Sequence, residues 1–173
     1  MLSTRYFWIR TIGHKTMNVP ELKVMGTPNK TPSKSLVLVD LSTRQPCTAS
    51  SQSHGTTCNL ALDGDTRRDH PHEWHSYAGD QWMRVQLKSR TANPIVKFYA
   101  RNCCTGQMGS SLRMFISDSD NLSQATDCGL ITGIHDHSTN VAQCNGTGRF
   151  FWIRTIGHKT MNVPEFTVMG HAL

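Results

Sequence analysis

Apolar and polar residues alternate with a period of two over several short stretches of the chain. Met83, Val85 and Leu87 are interleaved with Arg84 and Gln86, and residues 95–99 follow the same pattern approximately. Successive side chains of a strand point to opposite faces, so this alternation predicts half-buried strands. Short apolar runs at residues 35–41, 112–117, 150–156 and 165–169 predict further strands. Clusters of Gly, Asn, Asp and Ser separate them at short intervals, and no stretch sustains a helical period. Many short strands with turn signals predict an all-β domain, a sandwich or jelly roll.

The closing apolar stretch also occurs at the start of the chain. Residues 5–21 recur as residues 149–165 with one exchange, Tyr6 for Phe150, and Val-Met-Gly follows in both copies. Such a match implies a domain repeated in tandem. Residues 1–26 are then expected to be the closing strands of a preceding repeat. Residues 27–35, polar and proline-bearing, read as a linker, and residues 36–173 as one complete domain. One domain has one slot for the repeated strand. The C-terminal copy needs no long closure to reach it. Residues 1–26 are left with unpaired edges and exposed aromatics, a candidate surface for self-association.

Composition narrows the function classes. The 173 residues suffice for one domain of ordinary size and some surplus. No run is long and apolar enough to cross a membrane. The first residues lack the regions of a signal peptide, yet Asn29, Asn121 and Asn145 open glycosylation sequons. Six cysteines, not spaced as zinc knuckles, point to an oxidising, extracellular setting. The net charge of +6 is spread along the chain and no nucleic-acid-binding motif accompanies it, which argues against a nucleic-acid partner. His70, His72 and His75 near Glu73, and His135 with His137 around Asp136, offer zinc or copper ligand types. Pro71 and the loop context make a closed metal site hard to assemble there, and surface histidines are the plainer account. No Ser-His-Asp order, paired catalytic carboxylates or phosphate loop points to an enzyme. Trp152, matched by Trp8 in the first copy, reads as core.

The chemistry concentrates at Arg101-Asn102-Cys103-Cys104. Joined to each other, Cys103 and Cys104 would form a very small ring with a flat, polarisable sulfur surface. The neighbouring guanidinium holds five donors in a planar fork. A plate beside a donor fork suits a neutral sugar, with its C–H face and adjacent hydroxyls. The alternative is that each cysteine pairs elsewhere and Arg101 is a solvated strand end, since connectivity cannot be read from spacing.

The motifs in order resemble the discoidin-like, galactose-binding jelly roll. They are residues 39–53, then 61–65 with Ala61, Asp63 and Gly64, then Trp82, Val85 and Leu87. His75 upstream of Trp82, Arg101 with Cys103 and Cys104, and the spaced Cys128 and Cys144 narrow the resemblance to the F-type lectins, or fucolectins, over residues 36–170. The resemblance implies a calcium ion of structural role and a shallow site for L-fucose or a related terminal sugar. On it, His75 and Arg101 would hold ring hydroxyls and the ring oxygen, and a Cys103–Cys104 disulfide would form the plate. Asp63, Asp65 and Glu165 would bind calcium, with Asn59 or Leu60 as a nearby backbone ligand, a donor set of hard oxygens that suits this ion. Cys128–Cys144 follows from the same resemblance, and Cys47–Cys58 is expected by elimination and short spacing. The partners implied are fucosylated glycans. A discoidin-like adhesion module binding protein or lipid headgroups is the second reading. The polar and basic rim residues His75, Arg101 and Gln107 favour sugar and argue against membrane insertion.

The chain departs from the family pattern in places. Only Asn102 stands between the arginine and the cysteine pair, one residue short. Gln107 stands where a second basic residue is expected. A hydrogen bond to a charged group contributes roughly 1.5–3 kcal/mol against about 1 for a neutral one, so weaker or altered sugar binding is expected. Glu73 and Pro164 stand where many members carry two bridging cysteines, so both halves of that bridge are missing together.

Overall fold

The computed structural model describes residues 37–173. The expectations for residues 1–26 and 27–35, self-association included, lie outside the described residues.

The alternating stretch at residue 82 becomes the longest strand. In chain order the strands are β1 (Val39–Asp40), β2 (Cys47–Ala49), β3 (Trp74–His75), β4 (Trp82–Ala92), β5 (Ile95–Tyr99), β6 (Ser111–Ser117), β7 (Thr126–Thr132), β8 (Thr139–Gln143), β9 (Thr147–Arg154), β10 (Asn162–Val163) and β11 (Glu165–Gly170). All pairings are antiparallel. One sheet runs β2-β4-β9-β6-β7 and a second β1-β11-β5-β8, with the small ladder β10-β3 beside them. The expected all-β jelly-roll architecture is what the chain adopts. The first predicted strand, at residues 35–41, is shorter than expected, and β4 runs further than its alternation, through a register shift between Gln86 and Thr91.

The inward side chains fill the space between the two sheets. Met83, Val85 and Leu87 of β4, Leu112, Met114 and Ile116 of β6, and Phe151 and Ile153 of β9 meet Val96 and Phe98 of β5 and Phe166 and Val168 of β11, all buried. Phe151 and Phe166, from different sheets, have ring centroids 6.5 Å apart, the separation of interacting aromatic pairs. Trp152 is buried on the other face of β9, where Arg84 and Phe115 flank it in register. Two disulfides tie the margins. Cys47–Cys58 joins β2 to a short 3₁₀ turn, Cys58–Leu62. Cys128–Cys144 joins β7, at the edge of one sheet, to the residue after β8, at the edge of the other. Each closes a loop in the unfolded chain and so lowers its entropy.

The site-bearing end of the fold follows from register. Glu165 opens β11 opposite Tyr99, the last residue of β5. Just before it, Asn162 and Val163 pair with His75 and Trp74. The β3–β10 ladder therefore delivers residues 73–75 to the point where the chain leaves β5 toward Arg101.

Gly148 in β9 is required by close approach. A Cβ there would overlap the backbone of Ser117 on β6, which cannot yield without breaking the ladder. Gly148→Ala is expected to lower stability by about 1–3 kcal/mol, read as a lower urea midpoint with an unchanged slope.

Candidate functional site

Glu73 lies at the centre of the cluster where these elements meet. Its side chain has no exposed surface, and its Oε1 accepts from His75 Nε2 at 2.8 Å and from Arg101 Nη2 at 3.0 Å. The side chains of His75 and Arg101 are only 11% and 13% exposed, so this is a largely desolvated charge cluster. Such a carboxylate is tolerated because two donors, one of them a permanent cation, face the same oxygen. Asn162 completes the group. The amide orientation that satisfies its surroundings turns its oxygen to Arg101 Nη1 at 3.2 Å. Its nitrogen then faces His75 Nδ1 at 2.8 Å and the Met161 carbonyl at 3.1 Å. In that arrangement the neutral His75 donates from Nε2 and accepts at Nδ1, so both ring nitrogens have protein partners.

The backbone fixes these positions. His75 N donates to Thr56 Oγ1 and the His75 carbonyl accepts from Ser53 N, both at 2.9 Å. Arg101 is gripped from two sides: its carbonyl accepts from His137 N at 2.9 Å, and the next residue, Asn102, donates to the Arg68 carbonyl at 2.9 Å. The rings of His54 and His70 lie 5.4 and 5.7 Å from that of His75. Gln107 is exposed beside them, with its Oε1 3.5 Å from the Asn162 amide.

The expected Cys103–Cys104 disulfide is not formed. Both are free thiols with their sulfurs 2.7 Å apart, Cys104 donating to Cys103; a bond would need about 2.05 Å. Cys104 adopts a left-handed backbone, φ 65°, and the next residue is pinned: Asp136 Oδ1 accepts from Thr105 N at 3.0 Å and from Thr105 Oγ1 at 2.7 Å. Those bonds, first the backbone one, hold the Asp136 carboxyl below its ordinary range. The hydrogen bond from Cys104 pushes the Cys103 thiol up. Only Asn102 separates the sulfur pair from Arg101 along the chain, and the Arg101 charge acts on the Cys103 thiol. The other two expected bridges are present.

The residues expected to bind calcium are partly gathered. Glu165 is buried; its Oε2 accepts from Gly64 N at 3.0 Å, while its Oε1 is buried without a partner among the described residues. Burial above all, reinforced by the charges of Asp63, Asp40 and Asp65, raises its pKa to about 8 against the bond from Gly64. Asp63 Oδ1 accepts from Asp65 N at 2.7 Å. Asp65 itself turns outward, where the Arg67 side chain holds its pKa at about 2. Asn59 and Asp63 line one shallow cavity, and Leu60 lies in the same 3₁₀ turn as Asn59. Among the described residues, no three His, Cys, Asp or Glu side chains converge as a metal cluster.

No family model and no curated protein sequence matches the chain. Solved structures do. A fucolectin from striped bass (Morone saxatilis) serum superposes with a TM-score of 0.69, 24% identity, and coverage of 78% of this chain and 48% of its own. The fold is the jelly roll of that fucolectin. A fucose-binding module of Streptococcus pneumoniae, SpX-3, gives a TM-score of 0.62 at 18% identity over 76% of this chain and 97% of its own. The lectin domain of lectinolysin, solved with Lewis B antigen, gives 0.62 at 16% identity over 75% of this chain and 95% of its own. The chain thus spans about half the length of the striped bass protein, 48%.

Within this fold the sequence had singled out His75, Arg101, Gln107 and the cysteine pair, but not the group that holds them. Glu73 stood out only as the site of a missing cysteine and as a member of the histidine cluster, and Asn162 not at all. The usable signal was an acidic residue two positions before a strand histidine, on the same side of the strand. Glu73→Ala should cost about 3–5 kcal/mol by leaving Arg101 buried without its counter-charge. The double variant Glu73→Ala/Arg101→Ala should lose clearly less than the sum of the two single changes, as read by chemical denaturation.

Proposed function

We propose that this domain is a lectin module that binds a terminal L-fucose or a related sugar on glycans, at the rim formed by Arg101, His75, Gln107 and the Cys103–Cys104 sulfurs, with Asn162 supporting it from within. The single observation that supports this most is the Glu73-centred cluster. It holds a guanidinium at the rim with part of its donor fork uncommitted: one hydrogen on each of Nη1 and Nη2, and Nε, which is buried without a partner. Because both nitrogens of His75 are engaged within the protein, Arg101 carries the direct contacts to adjacent sugar hydroxyls. His75 orients Glu73 and Asn162, and meets the sugar only by exchanging one of these partners. The exposed amide of Gln107 adds a neutral donor and acceptor, and the sulfur pair receives the apolar C–H face. The binding domains of the striped bass, pneumococcal and lectinolysin structures support a sugar ligand for the fold. Two disulfides support an extracellular setting. The adhesion-module reading has less support, since the rim is polar and charged rather than apolar.

The reading includes calcium. A buried carboxylate oxygen without a partner, in a carboxyl crowded by Asp63 and Asp40, fits a hard divalent cation better than it fits solvent. Glu165 and Asp63 would hold the ion with backbone carbonyls of residues 59–65, and Asp65 would join by leaving Arg67. The ion would offset the carboxylate repulsion and tie the first loop to β11.

On a glycan array the protein should select fucosylated or galactosylated structures. Arg101→Lys, which keeps a cation beside Glu73 but lacks the planar fork, should lose binding by roughly tenfold or more with its melting temperature nearly unchanged. An array without such binders, from folded and calcium-supplied protein, removes the sugar reading.

Calcium at about 100 times its dissociation constant should stabilise the fold by about 2.7 kcal/mol, and chelator should reverse it. Glu165→Gln should abolish the response; a melting curve indifferent to both calcium and chelator removes this part of the reading.

A further inference from the structure

A groove opens from the rim at His75 and Gln107, which line its near end. It has a volume of ≈ 680 Å³ and is walled by His54, Tyr77, His158 and Lys159, within the range of about 300–1,000 Å³ typical of ligand clefts. No carboxylate lines it. Glu73, beneath His75, is committed to Arg101 and His75. Asp80, which feels the charge of His158, is held by Arg154, whose Nε donates to its Oδ1 at 2.9 Å. The walls are fixed rather than loose. Lys159 N donates to the Gly79 carbonyl at 3.0 Å, Tyr77 N to Ser51 Oγ at 3.0 Å, and Met161 N to Ser76 Oγ at 2.7 Å. Tyr77 is 64% exposed, a large ring held on a fixed backbone and left uncovered.

We propose that this groove is a subsite for the sugar residue adjoining the terminal one, and that the residue it takes is anionic, bearing a sulfate ester or a carboxylate. This rests on the sugar-binding reading of the rim. Tyr77 offers an aromatic face to a sugar ring and its hydroxyl to a neighbouring group. Lys159 supplies a mobile point charge with three donors, suited to an oxyanion whose position varies. His54 and His158 add ring N–H donors from either side. A neutral glycan reaches the same groove but leaves the ammonium without a partner. An anionic one gains a charge-assisted hydrogen bond where no carboxylate competes. The basic surplus of the chain, +6, aids the approach of such a ligand.

The test compares three soluble probes by calorimetry at physiological salt: a fucosylated N-acetyllactosamine, its sulfate ester and its sialylated counterpart. The charged probes should bind roughly fivefold to tenfold tighter than the neutral one. Lys159→Ala should erase that advantage and leave the neutral affinity as it was, and Lys159→Glu should invert it. The advantage should shrink as salt rises, whereas neutral binding should not. Which anion gains more assigns the source of the charge, sulfate or carboxylate. Equal affinity for all three probes, or an advantage that survives Lys159→Ala, overturns the anionic subsite while the sugar reading stands. Failure of all three to bind overturns both.

Discussion

A carboxylate with no exposed surface must be compensated on the spot. Glu73 meets that demand with one oxygen shared between an imidazole and a guanidinium, and the rim of this fold is arranged by it. His75 comes from β3, Arg101 from the turn after β5, Asn162 from β10. These three are distant in sequence and have no reason to converge on local grounds. The β3–β10 ladder and the pairing of β5 with β11 bring their backbones together, and the charge of Glu73 decides which way their side chains turn. The consequence is a guanidinium that is both anchored and partly unspent, the preorganisation that a weakly interacting ligand needs.

The second buried carboxylate, at the start of β11, is handled in the opposite manner. Glu165 has one backbone donor and three aspartates in its field, with no cationic side chain among the causes of its shift. The fold thus carries one acid neutralised by the Arg101 guanidinium and one held in its protonated range by burial and repulsion.

Much of the fold was legible in the alternation of residues 82–87 and 95–99, because those strands each have one wet and one dry face. β7 and β8 were not, because they lie at sheet edges and are polar or exposed nearly throughout; such strands leave no period to read. β3 and β10 are too short, at two residues each, for any pattern. At the site, Arg101 and the cysteines were legible because their residue types are unusual in combination. Glu73 was not, since its partners come from other elements and its role depends on burial. The expectation for Cys103 and Cys104 failed in its covalent part only. Adjacency in sequence fixes that the sulfurs are close, but not that they bond.

The register of β11 has a further consequence. Its last residue, Gly170, pairs with Val39 at the start of the described chain, while its first, Glu165, lies beside the rim. Both ends of the described chain therefore emerge side by side at one pole, with the rim at the other. Copies linked through that pole would turn their rims outward together, so that weak contacts at single rims would add up to avidity.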